Sequence, residues 1–113
     1  MRILGKDINF AYTMRAYCQT SDYVVANPDV SAATANLHKA VYMSQAYARV
    51  NGGDAIESVE ELADLPVGIY KQMLDEMKEA EARDTERTVE TVEKKPIKKQ
   101  SETNRGSFST DTR

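Results

Sequence analysis

The sequence predicts a mainly α domain with a small N-terminal β-hairpin (α+β), a compact bundle of about four helices followed by a disordered C-terminal tail. Three observations predict it. The stretch from Ser58 to Arg83, SVEELADLPVGIYKQMLDEMKEAEAR, carries helix start signals and an amphipathic period. Residues 31–50 form an alanine-rich apolar run stopped by Asn51-Gly52-Gly53. Composition then changes at Asp84, beyond which Val89, Val92, Ile97 and Phe108 are scattered through Thr, Ser, Glu and Lys. Such a segment buries too little apolar surface to offset its ordering entropy. The chain of 113 residues therefore divides into a folded domain, 1–83, and a tail, 84–113. A single core in a domain of that size is marginal, and self-association is a common remedy.

At the N-terminus, Arg2 to Leu4 and Ile8 to Tyr12 flank Gly5-Lys6-Asp7, where Gly5 can supply the positive φ of a tight turn. Alternation puts Ile8, Phe10 and Tyr12 on one face. Two strands alone are barely stable, so the hairpin must lie on the helices or extend a sheet in a neighbouring subunit through its open edge. Thr13 is the expected N-cap of a short helix reaching about Ser21, with Met14, Tyr17 and Cys18 on its apolar stripe and Pro28 beyond it. Asp29 or Ser31 caps the longest helix, which runs to about Val50 with Ala33, Leu37, Ala40, Val41, Ser44, Tyr47 and Ala48 on its apolar side. Small residues there permit close helix approach. Tyr42, Met43 and Val50 widen the stripe enough for a central position.

Asp54 to Glu57 is a connector. Ser58 with Glu61 has the spacing of a capping box, so a short helix starts near Val59. Pro66 disfavours helical geometry at Leu65 but suits the first turn of a new helix. In that helix Val67, Tyr70, Met73, Leu74 and Met77 form one apolar stripe. Two surfaces compete for it, the domain's own core and a partner helix. Tyr70, Met73, Leu74 and Met77 are the candidate partner-binding residues, and methionines suit varied apolar surfaces.

No enzyme is expected. The sequence has no Gly-rich phosphate loop, no Cys or His pair at metal spacing, and no nucleophile with a candidate base, so no catalytic, metal-binding or cofactor-binding residue is assigned. Cys18 is expected to be a small buried hydrophobe, and His38, the sole histidine, an exposed or half-buried helix residue. Asp75, Glu76, Glu79 and Glu81 are assigned to a solvated helix face. The net charge of −3 divides into −4 over residues 1–83 and +1 in the tail, where KKPIKK is the basic cluster. Such a balance argues against nucleic acid as a partner. There is no apolar run of signal or membrane-spanning length, which points to a soluble intracellular protein with no membrane partner.

Two segments together resemble the tail assembly chaperones of long-tailed bacteriophages of Gram-positive hosts. One is ILGKDINFAYT running into a helix; the other is SVEELADLPVGIYKQMLDEMKEAEARDTERTVE, with its acidic "VEEL" helix, "LP" step, amphipathic helix and Thr88-Val89-Glu90 before a Lys-rich end. The likeness spans most of residues 1–99. It implies a non-enzymatic protein of the host cell cytoplasm, not retained in the mature virion. Such a chaperone binds the tape measure protein, keeps it soluble and helps recruit major tail protein during tail tube assembly. It also implies a longer product made by translational frameshifting, for which Lys94-Lys95 and Lys98-Lys99 are candidate slip sites. The alternative expectation is a small structural virion subunit, a tail connector or completion protein acting through self-association.

Overall fold

In the computed structural model, residues 1–86 are described; the expectations for the rest of the tail, including KKPIKK and the slip sites, lie outside the described residues. Arg2–Ile3 (β1) and Lys6–Asp7 (β2) pair antiparallel, with Arg2 opposite Asp7 and Ile3 opposite Lys6. The turn is therefore Leu4-Gly5, not the expected Gly5-Lys6-Asp7. Both turn residues have positive φ, 53° and 79°, the pattern of the two-residue turn whose twist matches the strands. Leucine is a poor choice for that backbone, which is why the sequence points one residue too late. The substitution Leu4→Asn is expected to stabilise the fold by about 0.5–1 kcal/mol, read by thermal melting, because asparagine tolerates the left-handed region.

The second strand also ends sooner than the expected Ile8 to Tyr12. Ile8 instead forms a parallel bridge with Asp54, and the chain from Asn9 to Thr13 runs along the helices. The Ala11 N–H donates to the Met43 carbonyl. Ile3, Ile8 and Phe10 are buried, so the hairpin and the segment behind it close one side of the core; the alternation holds for Ile8 and Phe10, whereas Tyr12 is half-buried and Ala11 is buried.

Three α-helices follow: Met14–Ala26 (α1), Ala32–Asn51 (α2) and Val67–Glu86 (α3), with one turn of 3-10 helix at Val59–Glu61 in place of the expected fourth. Thr13 caps α1 through a bond from the Ala16 N–H, and Ser31 caps α2 through one from Thr34. α1 continues past Ser21 to Ala26, and Asn27 ends it ahead of Pro28. α2 stops at Gly52 and Gly53, both at positive φ. It is the central element: α1 and α3 both pack on it, and Ala40, Val41, Met43, Ser44 and Ala46 are buried. On the α1 side, Tyr23 stacks on His38 with centroids 3.8 Å apart, so His38 is half-buried between helices.

Other expectations need correction. Cys18 is exposed, as are Met14 and Tyr17, because α1 turns Ala16 rather than its apolar stripe toward α2. Ala33 is exposed, while Ala46, off the assigned stripe, is buried. Ile56 is buried within the connector. Glu76 and Glu81 are half-buried rather than freely solvated: Glu76 lies 3.4 Å from the Met1 ammonium, and Glu81 lies 2.8 Å from Lys39. The boundary at Arg83 is also too early, since α3 runs on to Glu86 and Asp84 Oδ2 accepts from the Tyr12 N–H at 2.7 Å. Arg83 in turn donates to the Phe10 carbonyl, so the end of α3 is fastened to the N-terminal segment. Burial raises the Tyr12 phenol above its usual range, and Lys39, 5.1 Å from the ring centroid, opposes this.

Ser44 is the one buried polar residue of this core among the described residues. Its hydroxyl donates to the Val41 carbonyl and accepts from the Ile56 N–H, both at 2.9 Å. Ser44→Ala strands that buried N–H, so a loss of about 1–3 kcal/mol is expected in denaturant unfolding.

Candidate partner-binding cleft

The connector after α2 is held at both sides before the chain turns toward α3. Gln45 Nε2 donates to the Ile56 carbonyl at 3.0 Å, and Lys6 Nζ donates to that of Ala55 at 3.3 Å. Glu61 does reach backwards, yet its Oε1 accepts from the Glu57 N–H at 3.2 Å rather than from Ser58, whose hydroxyl makes no capping bond. Its other oxygen lies 3.6 Å from Lys6. The expected capping box is thus not formed, and the carboxylate ties the turn to the hairpin instead.

Leu62 is the anchor of this turn, buried in the core and bonded through its N–H to Val59. Pro66 then breaks the path, and Ile69 donates to the Pro66 carbonyl as α3 begins. The chain passes from this turn through Pro66 into α3, leaving a gap between the turn and the first half of α2. The space between them is an apolar cleft of ≈ 340 Å³. Ala33 and Leu37 of α2 form one wall, and Leu62, Ala63 and Leu65 of the turn form another. Pro66, Val67, Ile69, Tyr70 and Met73 complete it. Its volume falls in the range of pre-formed ligand pockets, about 300–1,000 Å³.

The four candidate binding residues separate here. Met73 is 1 % exposed and lies at the base of the cleft; Met77 is 2 % exposed and belongs wholly to the core. Tyr70 lines the cleft, half-buried, and its hydroxyl accepts from Asn36 Nδ2 at 3.2 Å, which fixes the ring against α2. Leu74 is half-buried against the core and does not line the cleft. Val67, assigned to the same stripe, is 70 % exposed at the mouth.

Leu37, Leu62 and Leu65 were not among the candidates. Their signal was present: Leu62 and Leu65 stand three apart in an acidic segment, and Pro66 prevents either from joining the stripe of α3. Glu57, Glu60 and Asp64 of that segment are exposed, so the turn beside the cleft is acidic. Among the described residues no group of three or more His, Cys, Asp or Glu side chains is placed to hold a metal, and no helix is long and apolar enough to cross a membrane. Comparison with known protein families, curated proteins and solved structures yields no match.

Proposed function

We propose that this chain is a non-enzymatic tail assembly chaperone that receives the apolar stripe of tape measure helices in the cleft between α2 and α3. It acts in the host cell cytoplasm, keeps the tape measure protein soluble, helps recruit major tail protein, and leaves before the virion matures. The observation that carries this reading is the position of the cleft. It opens at the Leu65-Pro66 step, inside the same segment that resembles the chaperone family.

The physics supports it. An amphipathic helix binds a groove through anchors one turn apart, and a largely helical client exposes such stripes until the tail tube encloses it. An apolar cleft beside Glu57, Glu60 and Asp64 favours client helices whose apolar anchors are flanked by Lys or Arg.

The test uses fragments of the tape measure protein from the same phage genome. Addition of the purified chain is expected to move them from aggregate to a soluble complex; fragments that stay aggregated at excess chain overturn the reading. Mass spectrometry of mature particles separates it from the virion-subunit alternative, since abundant peptides of this chain in the particle belong to a structural subunit.

A further inference from the structure

The polarity of α1 is inverted. Its inner face, packed on α2, consists of Ala16, Gln19, Thr20 and Tyr23, and the buried Gln19 Oε1 has no hydrogen-bond partner. Its outer face carries Met14 at 86 % exposure, Val25 at 77 % and Tyr17 at 57 %, together with exposed Cys18, Ser21 and Val24. A surface helix ordinarily does the reverse. The outer residues also keep a strict order. Met14, Cys18, Ser21 and Val25 are spaced four, three and four apart, the spacing of a coiled-coil seam.

We propose that this face is the seam of an isologous antiparallel dimer in which α1 packs on α1 of a second copy, the two-fold axis passing between Gln19 and Thr20. The flanking residues select this occupant. In that register Met14 meets Val25 of the second copy, and Cys18 meets Ser21. Along one flank Tyr17 lies beside Val24 of the second copy, apolar against apolar. Along the other, Arg15 lies beside Asp22 of the second copy, and symmetry repeats the pair. Arg15 and Asp22 are both exposed. A helix thus carries its own charge complement only when the second helix is the same one reversed. The surface is separate from the client cleft, and the inference does not depend on that reading.

A seam of 13 residues spans about 20 Å. That is small for a specific interface, so the dimer is expected to be weak and concentration-dependent. Sedimentation equilibrium of the full chain from about 1 to 200 µM should show a mass rising from 12.6 kDa toward twice that value. Arg15→Glu or Asp22→Arg alone puts like charges together twice, and each should weaken the dimer about tenfold. The double variant Arg15→Glu/Asp22→Arg should restore it. All three alter exposed side chains, and circular dichroism verifies that they fold. Ser21→Cys provides a second readout: mild oxidation should give a covalent dimer that Cys18→Ser abolishes. A chain that stays at 12.6 kDa throughout overturns the proposal, as does a dimer whose affinity ignores the single reversals or is not recovered in the double variant.

Discussion

Met77→Glu is expected to abolish folding rather than binding. The side chain is 2 % exposed in the core on α3, so the substitution removes apolar packing and places a carboxylate where water cannot reach it. The combined cost is on the order of 5–10 kcal/mol, comparable with the whole stability of roughly 5–10 kcal/mol for a domain of this size. Circular dichroism should show loss of the cooperative thermal transition at neutral pH. Met77→Leu, similar in volume, should keep it with a loss below about 1.5 kcal/mol. A folded glutamate variant would return Met77 to the surface that meets a partner.

Val67→Glu is expected to do the opposite. Val67 is 70 % exposed at the cleft mouth and stands at the first position of α3, where a carboxylate complements the helix dipole. Stability should therefore stay within about 0.5 kcal/mol of the parent. Binding of a client helix should fall about tenfold or more, because the carboxylate must shed water when an apolar anchor enters. The pair of substitutions divides one predicted stripe into a core part and a binding part. Loss of folding in the Val67 variant, or unchanged client binding, would remove that division.

Local signals in the sequence are enough for four of the six ends of the α-helices. Thr13, Ser31, Asn51-Gly52-Gly53 and Pro66 act through backbone geometry within a few residues, and the structure places helix ends beside each of them. What periodicity could not tell was which side of a helix faces inward. The spacing of Met14, Tyr17 and Cys18 points to a core-facing stripe, yet α1 packs on α2 through Ala16 and the stacked Tyr23. Packing partners, and not the stripe itself, decide orientation. The carboxylates Glu76, Glu81 and Asp84 show the same limit: each meets a group far away in sequence, so spacing along α3 carried no trace of the contact.

The cleft was partly legible. Tyr70 and Met73 were recognisable from the α3 stripe, because a helix places residues three apart on one face. Its other walls come from α2 and from the turn before Pro66, elements far apart in sequence. Leu37, Leu62 and Leu65 come together only through that tertiary arrangement.

Docking of a client helix in the cleft is tested by a chemical-shift titration of the labelled chain with a tape measure helix that carries an apolar stripe flanked by basic residues. Perturbations are expected to centre on Leu37, Leu62, Leu65, Val67 and Tyr70, and Val67→Glu is expected to need about tenfold more helix to reach the same shifts. Shifts confined to α1 or to the hairpin, or none at saturating helix, would contradict the assignment of the cleft.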